Sequence, residues 1–327
     1  MEQYLPSVIA HTTPEIAEIW VADNGSTDGS VAMLKQNFPS IRILELHQNY
    51  GFAKGYALAL SQIEADYYVV MNSDVSVSSN WLEILILFLE SHPSYAAVMP
   101  KILDMKKPSH FEYAGAAGGY IDKLGYPFCR GRILDTTEAD TLQYDTTTEV
   151  HWVTGACFVI RASDYHQVGG FDPEFWAHME EIDLCWRLRA AGRKLAVVPQ
   201  SVVFHLGGAS LSYESPKKLY LNFRNNLYLL AKNLPHKSLF PILFMRLVLD
   251  GVAALYLLVQ GKPAGIGAVL KAHYGFYRML PYLMQSRSKQ NAPCRNEAYA
   301  SHAPFSILFQ FYFRKKQSFS NLMNLNK

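Results

Sequence analysis

The chain has 327 residues, half of them hydrophobic, which is enough for one large α/β domain with an appendage or for two domains. Its 30 basic and 28 acidic residues leave a formal net charge of +2, and so exclude the electrostatic footprint of a nucleic-acid binder. The four cysteines, Cys129, Cys157, Cys185 and Cys294, form no CxxC pair and are expected to be reduced thiols of a cytosolic protein with no zinc site; MEQYLPSVIA at the start has no basic stretch followed by an apolar run, so no secretory signal is expected.

Strand and helix patterns alternate through the first half. Glu18 to Ala22, Ile41 to Leu46 and Tyr67 to Met71 read as strands, whereas Ser30 to Asn37, Ala53 to Ile63 and Trp81 to Glu90 carry helical spacing. This rhythm predicts an α/β fold with a mostly parallel central sheet flanked by helices. From Ser109 to Gln143 the chain is rich in glycine and aromatics and reads as loops and short strands; residues 150–160 return to strand pattern. Met179 to Ala191 is predicted helical from the apolar stripe Leu184, Leu188, Ala191, with Gly192 as its C-terminal cap. Leu195 to Phe204 reads as a strand ending at His205. The expected boundary puts a catalytic domain at 1–215 and a helical, membrane-associating region at 216–327. Leu239 to Val259 is strongly apolar, but Pro241, Arg246, Asp250 and Gly251 interrupt it and make a spanning helix a poor fit. An interfacial amphipathic segment, with Arg278, Arg287, Lys289, Arg314, Lys315 and Lys316 towards anionic headgroups, competes with a helical subdomain packed on the catalytic domain.

Four short segments carry the chemistry. Asp23-Asn24-Gly25-Ser26 follows a strand, where ligands of an open α/β sheet collect, and a carboxylate there can accept from a base imide or a ribose hydroxyl. Turn chemistry competes, and for Asp28, ahead of a helix, capping is the preferred reading. Asn72-Ser73-Asp74 ends a buried strand, where an ionised carboxylate is costly unless it meets a cation or water. A divalent ion between Asp74 and a diphosphate would meet that need. His205 also ends a strand, ahead of Gly207-Gly208, and with Asp74 makes a mixed N/O pair suited to Mn²⁺ at least as well as Mg²⁺. Glu180, Glu181 and Asp183 cluster in the first turn of a helix, which the helix dipole alone would favour. Read as function, one of them is the base that takes a proton from an acceptor hydroxyl. Glu180, Asp183 and Arg187 share one helix face, so Glu181 points elsewhere and is the expected base, with Glu180 and Asp183 in support or acceptor contact.

Taken together, VADNGSTDGS, NYGFAKGYA, VVMNSDV, VTGACFVIRASDYHQVGGFDPEFW, MEEIDLCWRLRAAG and VVFHLGGAS resemble glycosyltransferase family 2, especially its rhamnosyltransferase-like bacterial members, over about residues 4–230. The resemblance implies a GT-A fold, inverting single displacement, a dTDP- or UDP-sugar donor, a divalent cation and a glycan or lipid-linked acceptor at the inner face of the membrane. By motif position it places Asp23 at the base, Asn49, Lys54, Asn72 and Ser73 near the donor, Asp74 and His205 at the metal, Glu181 as base, and Trp176 beside Glu180 and Asp183. Arg224-Asn225-Asn226 resembles the family's segment leading into its C-terminal helices. Three departures stand out: Glu181 where aspartate is common, Ala57 where asparagine is common, and no apolar strand ahead of the helix that starts near Glu2. That strand is central in the family's sheet, so its absence would leave unpaired backbone in the core and an incomplete base pocket. An empty slot between two parallel strands would favour the alternative of a non-catalytic remnant or binding partner in a glycan-assembly complex, and a strand filling it would favour the transferase. A nucleotidyltransferase would want a glycine-rich phosphate loop near the N-terminus, which this sequence does not show.

Overall fold

The computed structural model describes residues 1–207, 215–288, 298–299 and 301–323, so Gly208, Lys289 and Cys294 lie outside the described residues. The first half runs α1 (Leu5–Ala10), β1 (Trp20–Asp23), α2 (Ser30–Asn37), β2 (Arg42–Glu45), α3 (Gly51–Leu60), β3 (Tyr67–Met71), β4 (Val75–Val77), α4 (Trp81–Ser91) and β5 (Tyr95–Asp104). Alternation in β3 buries Tyr68 and Val70, and α4 turns Trp81, Leu85 and Leu89 inward at helical spacing, so each element spends its apolar face on one core.

Four short strands, β6 (Gly119–Ile121), β7 (Pro127–Cys129), β8 (Arg132–Ile133) and β9 (Thr136–Thr137), form a small antiparallel sheet out of the glycine-rich segment. Then come β10 (Thr148–Glu149), β11 (Cys157–Arg161), α5 (Ala162–Gln167), a 3-10 turn at Pro173–Phe175, α6 (Glu180–Ala190) and β12 (Lys194–His205). The strand expected over 150–160 is confined to β11, because the Thr154 hydroxyl accepts the Ala156 amide (3.2 Å) and turns the chain just before it. The helix expected from Ala53 begins earlier, at Gly51, whose φ of +76° makes the entry turn.

The central sheet has the order β10-β12-β5-β11-β3, with β4 beside β12. Its pairing is more mixed than the βα rhythm implies: β12 and β5 are parallel, but β11 runs antiparallel between β5 and β3. Periodicity reports which residues face the core and is silent on strand direction. β1 and β2 pair in parallel as a separate two-stranded sheet.

A cavity of about 450 Å³ separates the two sheets, with Val21 and Ala22 of β1 on one side, Val69 and Met71 of β3 on the other, and Leu5 and Val8 of α1 beneath. The hydrogen bonds Arg42 N to Ile19 O (3.3 Å) and Leu46 N to Asp23 O (2.9 Å) fix the β1–β2 register, which turns the N–H and C=O of Trp20 and Ala22 towards the cavity. On β3, Asn72 N donates to Ala156 O (2.9 Å), and the antiparallel alternation then turns Val69 and Met71 the same way. Met71 O accepts the Tyr56 hydroxyl there at 2.7 Å. No described strand lies between these edges, so among the described residues the slot is open.

After β12 the chain is helical: α7 (Pro216–Asn233), α8 (His236–Val259), α9 (Pro263–Ser288) and two short helices, Ile307–Tyr312 and Phe319–Met323. α8 is continuous through Pro241 and is long and apolar enough to cross a membrane by length and composition. Its polar interruptions face inward. Arg246 lies 3.5 Å over the Tyr126 ring and donates to Leu124 O, while Asp250 pairs with His273 at 3.2 Å. The outer face is apolar, with Phe240 79% and Val259 86% exposed, and Tyr274 of α9 and Phe313 are exposed as well.

Candidate active site

β1 and β3 deliver Asp23 and Asp74 to one end of the molecule, where both strands end. Asp23 accepts the amides of Gly25 and Ser26 (3.2 Å each) and so shapes its own loop, while also lining the cavity. The N-cap position of α2 is Gly29; Asp28, one residue earlier, accepts both the amide and the hydroxyl of Ser30 in a local turn, and these bonds hold its carboxyl below the usual range. Asn24 ties this loop to α3: its amide donates to Gly51 O (2.9 Å) and its oxygen accepts Tyr50 N (2.9 Å). Asn49 accepts Gly51 N at 2.9 Å, which makes it part of the same turn, and Lys54 stands exposed, 4.7 Å from the Tyr50 ring centroid. Asn72 reaches His205 through its side chain (3.3 Å), and Ser73 lines the cavity.

Asp74 and His205 meet from strands far apart in sequence. His205 Nε2 lies 3.2 Å from Asp74 Oδ1, and Nδ1 lies 3.2 Å from Glu112 Oε1, with Glu112 and His205 both buried. Burial opposes the imidazolium, but the two flanking carboxylates outweigh it and raise His205 to about 9. Burial likewise opposes ionisation of Asp74, yet the His205 contact leaves its carboxyl lowered. Glu112 lies in the glycine-rich segment and was not singled out in the sequence; a lone glutamate there carries no periodic signal. Among the described residues no group of three or more His, Cys, Asp or Glu side chains forms a metal cage. The donor set nonetheless fits a divalent ion completed by diphosphate oxygens: one carboxylate, one imidazole, and a carboxylate behind the imidazole to orient it.

The acid cluster opens α6 from a contorted approach. Trp176, His178 and Met179 all have positive φ (64°, 70° and 71°), which for non-glycine residues costs on the order of 1 to 3 kcal/mol each. Such strain persists only where surroundings over-determine it. Gly51 packs against this loop so closely that a Cβ there would stand 2.6 Å from Trp176 O, and Ala53 N donates to that same oxygen (3.1 Å). Trp176 presents its ring to Lys217, whose Nζ is 3.9 Å from the centroid.

Glu180 is buried and Glu181 half-buried, and each has one oxygen with no hydrogen-bond partner. Burial raises Glu181 to about 7; burial and the neighbouring Glu181 raise Glu180 well above the carboxylate range. Glu181 is therefore the more accessible member of a pair suited to proton transfer near neutral pH.

Asp183 behaves differently. It is fully buried and accepts from Lys232 Nζ (2.8 Å), Arg187 Nε (2.9 Å) and Asn233 Nδ2 (2.8 Å). Burial alone would raise it, but Lys232 and Arg187 hold it at about 2. That saturation makes it a support for α6 and removes it from acceptor contact. Lys232 also binds Asp172 (2.5 Å), which accepts the Tyr282 hydroxyl (2.9 Å), so α7 and α9 are locked to the start of α6. A lysine inside the apolar run Leu227 to Leu234 was the available signal for this network.

Cys129, Cys157 and Cys185 are free and buried, and burial pushes all three thiols up, Cys185 to about 12, which leaves them inert. Arg287, expected near headgroups, is buried and donates to Ala231 O (3.1 Å), because α9 packs that face on α7.

The family model described as "Glycosyl transferase family 2" matches residues 1–169. The N-acetylglucosaminyl-diphospho-decaprenol L-rhamnosyltransferase of Mycobacterium tuberculosis is 27% identical over 249 residues, 71% of this chain and 80% of that protein. Rhamnosyltransferase WbbL of Escherichia coli is 26% identical over 163 residues, 48% of this chain and 61% of that one. Among solved structures, S. aureus TarS 1-349 in complex with UDP-GlcNAc superposes with TM-score 0.53 at 15% identity, covering 97% of this chain and 88% of that chain. GalNAc-T7 with UDP, GalNAc and Mn²⁺ gives 0.55 at 15% identity, covering 88% and 55%. These structural likenesses show the GT-A fold, and the family match spans more than half of the sequence: the chain belongs to glycosyl transferase family 2, and is a glycosyltransferase.

Proposed function

We propose that this glycosyltransferase moves a sugar, rhamnose by its relatives' names, from a nucleoside diphosphate to a hydroxyl of a lipid-linked glycan. The observation that carries the reading is the pair of buried Glu180 and half-buried Glu181, each with an unpartnered oxygen, in a molecule that also brings Asp74 to His205. The acceptor oxygen attacks the anomeric carbon with inversion and its proton passes to a Glu181 oxygen. The bond from the anomeric carbon to the diphosphate breaks, and its electron pair leaves on the phosphate oxygen. Asp74 and His205 would hold a divalent cation, Mn²⁺ or Mg²⁺, which when bound stabilises charge on the departing diphosphate. Asp23 receives the nucleoside, with Asn72 and Ser73 alongside; Asn49 and Lys54 frame the entrance.

The apolar outer face of α8 supports peripheral contact with the inner face of the membrane, where a lipid-linked acceptor resides, and Tyr274 and Phe313 are exposed apolar rings as well. Exposed Arg278, Arg314 and Lys315 supply charge for anionic headgroups.

The slot between β1 and β3 favours a second reading, in which the chain binds within a glycan-assembly complex without turnover. One assay separates them. Transfer from dTDP-rhamnose or UDP-sugars to a polyprenyl-diphosphate-linked N-acetylglucosamine is measured for the chain and for a version with about five apolar, β-branched residues joined ahead of Met1, which itself lines the cavity. Turnover by either version supports the transferase reading, and a gain on strand addition assigns the slot a part in it. No transfer by both, with both folded, supports the second reading.

A further inference from the structure

α7 touches the approach to α6 through a side-chain amide. Asn225, fully buried, turns its Nδ2 to three backbone carbonyls at once: Phe175 (2.8 Å), Ala177 (2.8 Å) and His178 (2.7 Å). Its Oδ1 accepts Arg224 Nε (2.9 Å), which fixes which end of the amide faces the loop. Arg224 adds bonds from Nη2 to Glu174 O (3.1 Å) and Phe175 O (3.0 Å). Five bonds from two adjacent residues thus converge on carbonyls of residues 174–178, the stretch where Trp176 and His178 take positive φ and which leads through Met179 into Glu180.

A carbonyl turned inward needs a donor, and left-handed residues in series turn successive carbonyls in directions that no regular element satisfies. We propose that Asn225, oriented by Arg224, is a positioning residue for the reaction: it holds the Phe175–Met179 loop in the strained form from which α6 starts, and so sets where the Glu181 carboxylate stands. Glu181 is three residues beyond the last carbonyl that Asn225 binds, and the loop's opposite side is already fixed by Gly51 and Ala53. Loss of the Asn225 bonds frees one side of that clamp. A shift of about 1 Å at a reacting group is enough to lower turnover by about 10²-fold.

The role rests on Glu181 acting as the base, so the test reads the loop and the chemistry separately. Asn225→Ala is compared with the unchanged chain by hydrogen exchange resolved to peptides and by steady-state kinetics, with Tyr228→Phe, on the same helix but bonded to Gly275 O, as control. Expected are exchange faster by about tenfold or more over residues 174–181, no change over β5 and β12, and kcat lower by about 10²-fold with donor KM held within about twofold. If Asn225→Ala does not fold, Arg224→Ala, which removes a half-buried guanidinium, takes its place with the same readouts. Unchanged exchange in the loop overturns the anchor, as does faster exchange everywhere with kcat tracking the folded fraction. A loosened loop with unchanged kcat overturns the positioning role. If the unchanged chain gives no turnover while the loop loosens in Asn225→Ala, the anchor stands and the base reading fails.

Discussion

Glu181→Gln is expected to lower kcat by about 10²- to 10⁴-fold, the range for losing a general base, while nucleotide affinity holds. Glutamine keeps the shape and cannot take the proton. The pH profile provides the sharper check. Burial raises the Glu181 carboxyl to about 7, so the base is protonated and idle below that pH. The kcat of the unchanged enzyme should therefore rise with pH through about 7 and level above it, and the residual rate of Glu181→Gln should lose that limb. A Glu181→Gln enzyme with the same limb would place the base elsewhere, Glu180 first.

Lys232→Met is expected to cost about 3 to 5 kcal/mol of stability in urea unfolding, the range for breaking a buried ion pair by removing one partner. Both Asp172 and Asp183 lose their buried cation, and Arg187 alone remains near Asp183. A pH signature follows. With its folded value held at about 2, below the ordinary aspartate value of about 3.9, Asp183 contributes stability that is present above about 4 and is lost as pH falls towards 2. Removing Lys232 raises that folded value, so acid unfolding should begin at higher pH. Adding Asp172→Asn to Lys232→Met should recover part of the loss, because one unpaired charge is neutralised; a further loss would mean that packing, not charge, dominates the site.

Much of the molecule is legible in the sequence because strand ends and helix starts are local events. Asp23, Asp74 and His205 stand out as residues that terminate apolar runs, and Asp28 as a turn residue ahead of the next helix, whose N-cap is Gly29. The i, i+3, i+7 relation that placed Glu181 apart from Asp183 and Arg187 is realised: those two pair at 2.9 Å while Glu181 keeps an unpartnered oxygen. The slot was legible too, since β1 and β3 each carry a strand pattern and α1 precedes them. What failed to show was long-range. Glu112 reaches His205 from a segment with no periodicity, Asn225 reaches Phe175 across 50 residues, and Lys232 reaches Asp172 across 60. The antiparallel direction of β11 belongs to the same class. The outer face of α8 was hidden for another reason: composition counted Arg246 and Asp250 against a spanning helix, and only their inward direction shows that they leave that face apolar.

The central claim, a nucleotide-sugar site built on Asp74 and His205, is tested most directly by calorimetric titration of the chain with UDP and with dTDP, each with and without Mn²⁺. The expected result is binding of one nucleotide that needs the metal and disappears in Asp74→Ala, with the preferred base identifying the donor. Binding of neither nucleotide by a folded chain, or binding indifferent to both Mn²⁺ and Asp74, would contradict it.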